Sequence, residues 1–419
     1  MIITPKNGLS ETWQAIGRTS RILWVRVALI SALSLAASLS APFVEAFVPE
    51  SWKQRFSEET TLPILNVLAS SLLAVATFSL GIMVSSHRAL AEQTTPRVHQ
   101  ILMEDTRTQT VIATFIGGFV YALSSIILFR AQVYGDDAAV VVFTISTIVV
   151  LVIVLSLIRW IEHLSRIGSL TYALDQAEIS AERILADLRD NPRYGGAACE
   201  TVDAETSSGT VIQAARSGFV LRLQMADLQN QAAQDKCHVV IDVMPGDHVL
   251  EGQPVARLIG CETPEAYPKH IIIGSKRSHN QDPSYALQAL RESASKALSP
   301  GINDPGTAIE VVARLERLLW ASFTSPEEKP EVVFDRIHVR DVDRGALLET
   351  SFRQIARDGK HLEEVIGRTA RAVICLSEQL KENTTTTKLL ADIDAYAKKG
   401  LTIDGEWRRY ESLRKPSDD

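Results

Sequence analysis

The chain has 419 residues, of which 46% are hydrophobic and 22% are charged, and its formal net charge is −7. This length allows two or three domains, and the acidic balance argues against a general nucleic-acid binder, which needs a basic face to neutralise phosphates. The four cysteines, Cys199, Cys237, Cys261 and Cys375, include no CxxC pair, which argues against a disulfide framework or a zinc ribbon.

Nearly every long apolar run lies before about residue 160, and the charged residues concentrate in the remainder. Four runs have the length of about 20 apolar residues that a helix needs to cross the hydrocarbon layer. They are residues 22–43, 62–84, 110–129 and 138–160. The pattern predicts a multi-domain membrane protein with a four-helix transmembrane domain over residues 1–165.

The basic residues that flank the spans predict their orientation, because Lys and Arg resist translocation. One side of the membrane receives Lys6, Arg18, Arg21, Arg26, Arg88, Arg97, Arg107, Arg159 and Arg166, and the other receives Lys53, Arg55 and Arg130. We therefore expect a multi-pass protein of the cell inner (plasma) membrane, with its N- and C-termini in the cytoplasm.

The second and third spans carry small and polar residues at helical spacing. They are Asn66, Ser70, Ala74, Thr77, Gly81 and Ser85 in the second span, and Thr114, Gly118, Tyr121 and Ser125 in the third. Steps of three and four place each set on one helical face. Each stripe is either a helix-packing seam or the lining of a water-filled path in an oligomer, and both hold if the seam is the subunit interface.

No Asp, Glu, Lys or His lies near the middle of any span. Proton and ion relays need such ionisable groups inside the membrane. The spans therefore argue against a transporter driven by carboxylates.

After the fourth span, apolar residues recur at helical spacing among charges. This predicts an amphipathic connecting helix over residues 166–192, continuous with the span and ending before Pro192, because the residue before a proline avoids the helical region. Residues 193–275 change to short β-branched runs punctuated by glycine, which predict a β-rich module. Its predicted strands are 210–214, 219–223, 238–244, 254–259 and 270–273, with a helix at 225–234.

The string from Val243 to Val255, which contains Pro245-Gly246-Asp247, resembles the turn of biotinyl- and lipoyl-type barrel-sandwich modules. The resemblance implies a barrel-sandwich-like fold for the β module. Such modules carry their prosthetic group on a lysine in a tight hairpin. Because this chain has no lysine there, we expect no attached cofactor.

Residues 276–400 predict a mainly α-helical cytosolic domain, and residues 401–419 form a tail. Helices are predicted near 285–298, 309–319, 344–356, 362–381 and 387–398, with a strand candidate at 336–340. The first two helices are separated by Ser299-Pro300-Gly301-Ile302-Asn303-Asp304-Pro305. Pro300-Gly301 can stop one helix, and Asp304 can cap the next with Pro305 at its first position.

With four spans, a Gly-Asp turn, Gln281-Asp282-Pro283 and the string at 299–305, the chain resembles a family of bacterial inner-membrane proteins, domain of unknown function 2254. The resemblance runs from about Arg21 to Leu380. It implies this architecture and brings no reaction, substrate or cofactor with it. Gly306 departs from the bulkier residue expected there, so the corner can pack differently.

Two interpretations of the corner remain open. Its residues are Gln281, Asp282, Ser299, Pro300, Gly301, Asn303, Asp304 and Pro305. They can form a purely structural corner made of helix caps and turns. Alternatively, their oxygens and backbone amides can bind a cation, or an anion at a helix start.

The chain contains no phosphate loop, no GxSxG elbow and no HExxH, and its histidines form no ligand pairs. We therefore expect no enzyme, no metal and no cofactor. The leading hypothesis is a homo-oligomeric channel or pore in membrane lipid, regulated by a cytosolic assembly. The alternative is a membrane-anchored sensor or scaffold that binds a cytosolic partner or a small ligand, without transport.

Overall fold

The computed structural model describes residues 23–44, 57–103, 106–134, 138–164, 166, 168–199, 209–324, 331–380 and 384–414. Several basic residues used to predict the orientation, Lys6, Arg18, Arg21, Lys53 and Arg55, lie outside these ranges, as does the tail beyond residue 414. The chain divides into two compact units. The first comprises Met1–Gln93 and His99–Ala173, and the second comprises Thr94–Val98 and Leu174–Asp419.

The first unit is helical. Its long helices are α1 (Leu23–Val44), α2 (Glu58–Gln93), α4 (Thr106–Arg130) and α5 (Ala138–Leu164), and the short helix α3 (Pro96–Met103) lies across the division between the units. Within the described part of the chain, four helices are long and apolar enough to cross a membrane, as the sequence predicts. Helix α2 starts with Glu58 and Glu59, whose charges favour a helix start.

Helix α4 is the centre of this unit and packs against α1, α2 and α5. Large apolar side chains such as Leu33, Phe43, Phe78 and Leu151 are exposed on the other helices. Such surfaces are stable when acyl chains surround them, which agrees with the length and hydropathy of these helices.

Helix α6 (Leu170–Asp190) is separate from α5, so the predicted continuous helix is wrong. The chain turns at Arg166 and Gly168, and the Ser169 hydroxyl accepts a hydrogen bond from the Tyr172 amide at 3.1 Å. A hydroxyl at this position satisfies an amide that a new helix start leaves without a partner. As predicted, α6 ends before Pro192.

Among the residues that the structure describes, the β region contains eight short strands and one α-helix. They are β1 (Gly196–Ala198), β2 (Thr210–Gln213), β3 (Gly218–Leu223), α7 (Met225–Gln234), β4 (His238–Ile241), β5 (His248–Val249), β6 (Pro254–Ile259), β7 (Ile271–Gly274) and β8 (Phe334–Val339). One mixed sheet has the order β1-β8-β4-β6-β2, and a second, antiparallel sheet has the order β5-β3-β7.

Strand β8 belongs to this region although it lies almost 100 residues after β4 in the chain. It runs parallel to β1 on one side and to β4 on the other. Its Ile337 and Val339 are buried with Val239 and Ile241 of β4, because alternate residues of neighbouring strands face the same core. A small mixed β region is therefore present, while its topology does not confirm the barrel-sandwich arrangement.

The remainder is mainly helical, as predicted. Its helices are α8 (Pro283–Ala297), α9 (Pro305–Phe323), α10 (Arg344–Asp358), α11 (Glu363–Ser377), α12 (Thr384–Gly400) and α13 (Asp404–Arg414). Aspartates cap three of them: Asp282, Asp304 and Asp343 each accept a hydrogen bond from an amide in the first turn. Helix α8 packs against α9 and α10, and α11 packs against α13, which lies in the predicted tail.

Candidate functional site

The small and polar stripe of α4 lies inside the first unit. Gly118, Tyr121 and Ser125 are buried, and Thr114 is half-buried. The Tyr121 hydroxyl donates to the Val142 carbonyl at 2.9 Å. A Cβ on Gly118 would lie 3.0 Å from Leu72 Cδ1 of α2, so this glycine allows the two helices to approach closely.

A second hydrogen-bond network joins α4 to α1. The Ser125 hydroxyl donates to Ser38 Oγ at 3.2 Å, and Ser38 and Ser124 share a bond of 2.8 Å. The Tyr134 hydroxyl donates to the Ser38 carbonyl at 2.7 Å. The stripe on α4 therefore has the geometry of a packing seam within one chain.

The stripe of α2, unlike that of α4, lies on the exposed surface of the first unit. Its members Asn66, Ser70, Ala74, Thr77, Gly81 and Ser85 are all exposed. Helix α2 instead buries Leu65, Leu68 and Leu72 in the four-helix core. The packing-seam interpretation within one chain therefore does not describe the α2 stripe.

The hydroxyls of the α2 stripe bond to their own helix. Ser70 Oγ donates to the Asn66 carbonyl at 2.9 Å, and Thr77 Oγ1 donates to the Leu73 carbonyl at 2.8 Å. Apart from the adjacent backbone of α2, no described atom lies within 4 Å of a Cβ built on Gly81, so this position is a shallow notch in the helix surface. The result is a continuous, uncharged face with small side chains.

In the second unit, two of the sequence motifs meet at Asp282. Its Oδ1 accepts from the Tyr285 amide at 2.9 Å, and its Oδ2 accepts from Arg277 Nε at 2.8 Å. Gly246, of the Pro245-Gly246-Asp247 turn, has φ +100°, and a Cβ there would lie 2.4 Å from Asp282 Oδ2. The turn therefore covers this carboxylate closely, and burial raises the pKa of Asp282 above its usual value although Arg277 opposes the change.

The neighbouring Gln281 fixes α8 to the β region. Its Oε1 accepts from the Leu223 amide at the end of β3 at 2.9 Å, and its carbonyl accepts from the Tyr194 hydroxyl at 3.1 Å. Gln281 and Asp282 thus hold the start of α8 through bonds to β3, Tyr194 and Arg277. These contacts have a structural role, because they join the start of α8 to the β region.

His279 lies beside this junction in a strongly basic environment. Its ring centroid is 4.4 Å from that of Tyr285, and both ring nitrogens are buried without a hydrogen-bond partner among the described residues. Arg277 and Arg97 lie over Tyr285, at 5.0 Å and 5.6 Å from the ring centroid. Burial, with these two guanidinium groups, lowers the pKa of His279 to about 4, so its imidazole is neutral at pH 7.

Arg97 belongs to the segment Thr94–Val98, which the second unit includes. Its Nη1 donates to both carboxylate oxygens of Glu292 on α8, at 2.6 Å each. Lys296 Nζ donates to the Thr94 carbonyl at 2.7 Å. The segment that follows α2 in the chain is therefore bonded to α8 at two places.

The string at 299–305 forms a capped turn between α8 and α9. The Ser299 carbonyl accepts from the Asn303 amide at 2.9 Å, and Asp304 Oδ1 accepts from the Thr307 amide at 3.0 Å. Asn303 has φ +52°, a left-handed conformation that asparagine tolerates. The bonds to Thr307 lower the pKa of Asp304, and Pro300, Gly301 and Asn303 are exposed.

The two halves of the predicted corner do not meet. Gln281 and Asp282 precede α8, whereas Ser299 to Pro305 follow it. Fifteen residues of helix separate them by about 22 Å at 1.5 Å per residue. A single ligand site made of both halves is therefore excluded, and no group of three or more metal-binding side chains occurs among the described residues.

Sequence reasoning missed His279 and the partner of Gly246. A lone histidine carries no motif, and the turn at Gly246 was recognised without the carboxylate beneath it. The only available signal for the second contact was the presence of a glycine in a turn close to a Gln-Asp-Pro helix start.

Four helices of membrane-crossing length with exposed apolar surfaces, followed by a mixed β region and a helical remainder, define a multi-pass membrane protein with a large second unit. The family model described as predicted membrane protein (DUF2254) matches residues 20–374, and the chain belongs to this family. The match includes both stripes and the junction at Asp282.

Similar proteins include the uncharacterized protein Mb1321c of Mycobacterium bovis and the uncharacterized proteins Rv1290c and MT1328 of two Mycobacterium tuberculosis strains. Each is 24% identical over 281 residues, which is 63% of this chain and 53% of the relative. The chain thus spans about half the length of the curated relatives that it matches. No solved structure matches the chain.

Proposed function

We propose that the protein is a homo-oligomeric channel or pore of the cell inner membrane, with cytoplasmic termini and a second unit that serves as the cytosolic regulatory assembly. The observation that carries this proposal is the exposed stripe of α2. The positive residues at Arg88, Arg97 and Arg166 support the orientation.

The stripe is unfavourable if it faces acyl chains. A polar group without a partner in hydrocarbon costs on the order of 2 kcal/mol or more, and Asn66 places an amide on this face. A second copy of the chain, or water in a central path, would provide a partner for this amide. Uncharged hydroxyls and amides can replace part of an ion's hydration shell without a fixed charge.

The segment Thr94–Val98 supports regulation by the second unit. It follows α2 directly in the chain, and Arg97 and Lys296 bond it to α8 and hold it there. A shift of α8 would therefore be transmitted through a few residues to the helix that bears the stripe. The proposal includes no catalytic reaction.

The test is conductance of the purified full chain in planar bilayers. Replacing Gly81 with Phe fills the notch in the stripe and should change the single-channel conductance several-fold, because the pore would narrow or its subunits would separate. Leu151→Phe is the matched control, since Leu151 is equally an exposed membrane-helix residue but lies on α5. Silence under voltage, membrane tension and added small ligands would contradict the proposal.

The alternative is a membrane-anchored sensor or scaffold, and the exposed corner favours it. Ile302 is exposed at a rigid, capped turn, as are its neighbours Gly301 and Asn303. An apolar side chain held in this way suits a protein partner. A stoichiometric partner that copurifies with the full chain and is lost in Ile302→Glu, together with silent bilayers, would favour this function.

A further inference from the structure

A cleft of about 560 Å³ lies within the second unit, and its lining residues include no member of either stripe and neither Gln281 nor Asp282. The end of α6, the turn after it, the end of α9 and the start of α10 form its walls, with the residues that follow α11. Cavities of about 300–1,000 Å³ are the usual size of small-molecule sites. The cleft can therefore hold a ligand of moderate size.

The lining is positively charged. Arg189, Arg193 and Arg344 line it, and Asp341 is the one carboxylate among the lining residues. Arg189 also pairs with Asp190, outside the lining, at 2.8 Å. Arg193 pairs with Asp341 at 3.0 Å, whereas Arg344 has no carboxylate within 4.0 Å among the described residues and donates only to the Phe323 carbonyl, at 3.3 Å. Guanidinium groups with free donors bind phosphate oxygens well.

Two buried polar atoms of the lining have no partner among the described residues. They are Arg193 Nε, a donor, and Gln379 Oε1, an acceptor. Buried polar atoms without a partner are rare and cost about 1–3 kcal/mol each. A ligand that satisfies both must accept a hydrogen bond at one point and donate one at another.

The remaining walls are apolar. Phe323, Val342, Leu347 and Leu380 are lining residues, of which Phe323 and Leu347 are largely buried. The Arg344 guanidinium carbon lies 5.5 Å from the centroid of the Phe323 ring. An aromatic wall beside a cation suits a flat, polarisable ring. An inorganic anion alone would leave this surface without a partner.

The backbone at the rim is strained. Arg193 and Tyr194 both have φ +56°, a left-handed conformation that is uncommon for residues other than glycine. The Tyr194 hydroxyl holds the segment through its bond to the Gln281 carbonyl. Backbone strain of about 1–3 kcal/mol per residue persists mainly where the surrounding structure positions a ligand or a switch.

From these observations we infer that the cleft binds a nucleotide. Its phosphate lies against Arg344 and Arg193, its base packs against Phe323, and an N–H of the base donates to Gln379 Oε1. The site does not rest on the proposed pore, because binding can be measured whether or not the protein conducts.

The experiment is isothermal titration calorimetry of the purified full chain in detergent with AMP, GMP, CMP and UMP. Inorganic phosphate and the matching nucleosides are titrated separately, because each represents one part of a nucleotide. Saturable binding of at least one nucleotide is expected, tighter than that of either of its halves. Saturation by none of the four at millimolar concentration would overturn the inference, as would equal affinity for the nucleotide and for inorganic phosphate.

Two variants locate the site. Arg344→Ala should weaken nucleotide and phosphate binding about tenfold or more, since it removes a charge-assisted bond. Gln379→Leu should weaken nucleotide binding several-fold and leave phosphate binding unchanged. Arg408→Ala is the matched control, because Arg408 is an exposed arginine on α13 outside the cleft. Nucleotide binding that neither Arg344→Ala nor Gln379→Leu changes would overturn the assignment to this cleft.

Discussion

Gly246 and Gly252 lie six residues apart and both have positive φ, but only one of them is covered. A Cβ on Gly246 would lie 2.4 Å from the buried Asp282 carboxylate, whereas one on Gly252 would contact nothing within 4 Å. The two positions therefore separate the cost of a left-handed backbone from the cost of displacing Asp282. Gly246 is thus required for two reasons, its positive φ and its close contact with Asp282, whereas Gly252 is required only for its positive φ.

We expect Gly252→Ala to destabilise the folded chain by about 1 kcal/mol, the usual cost of a left-handed conformation for alanine. Gly246→Ala should cost about 3 kcal/mol or more, because Asp282 must also move and its bonds to Arg277 and Tyr285 weaken. Thermal unfolding of the purified full-length variants measures the difference. Equal losses at the two positions would show that the contact with Asp282 is unimportant.

His279 makes the stability of the protein depend on pH. Its pKa is lowered from 6.5 to about 4, so between these values the unfolded chain binds more protons than the folded chain. Stability contributed by the neutral imidazole is therefore present above pH 6.5 and lost as the pH falls toward 4. At pH 5 the loss is about 2 kcal/mol.

His279→Phe keeps a ring beside Tyr285 and removes the titration. Between pH 7 and pH 5 the unfolding temperature of the wild type should fall more steeply than that of this variant. Asp282 and the arginines around the site are the same in both chains, so their titration cancels in the comparison. Parallel curves would mean that His279 does not titrate in this range.

At the scale of the elements, α2 and α4 carry similar sequence patterns and have different surroundings. The α4 stripe is buried against α1, α2 and α5, and the α2 stripe is exposed. Helical periodicity predicts which residues share a face, but the neighbour that covers the face depends on the packing of the whole unit. For this reason the sequence could not distinguish the two stripes.

Glycine substitutions measure this difference. A Cβ on Gly117 of α4 would lie 2.4 Å from Ile30 Cγ2 and 3.2 Å from Ser34 Oγ, so Gly117→Leu should overpack the contact with α1 and cost about 2 kcal/mol or more. Gly81→Leu meets no described atom outside its own helix backbone, so it should not lower the unfolding temperature of the monomer in detergent. A comparable loss in both variants would indicate that the α2 stripe is covered within the chain.

Most single elements could be predicted because their signals are local. The helix at Met225–Gln234 and the positions of the five predicted strands are confirmed, since β-branched runs and turn residues define them, although β4 ends at Ile241 and not at residue 244. The strands β1 and β5 were missed because they have only three and two residues. The break between α5 and α6 was missed because Ser169 is a single capping residue within a long helical pattern.

At the scale of the whole molecule, the order of membrane helices, β region and helical remainder along the chain was predictable. The long-range contacts were not. Hydropathy separates the membrane helices from the rest, and this follows directly from the thickness of the hydrocarbon layer. The contact of Gly246 with Asp282 and the cleft at Arg193 depend on residues far apart in sequence. Of the predicted corner, the capped turn at Asp304 could be predicted because helix caps follow local sequence rules. The environment of Asp282 could not, because it depends on residues that only the fold brings together.

The position of β8 affects how the protein is made. During translation, β4 and β6 leave the ribosome while about 90 residues still separate β4 from its parallel neighbour. Until β8 is synthesised, the nascent chain has an open strand edge, which is a hazard for intermolecular pairing and a site for chaperones to shield. Any shortened version of the β region must therefore include Phe334–Val339, because the sheet would otherwise lack an interior strand.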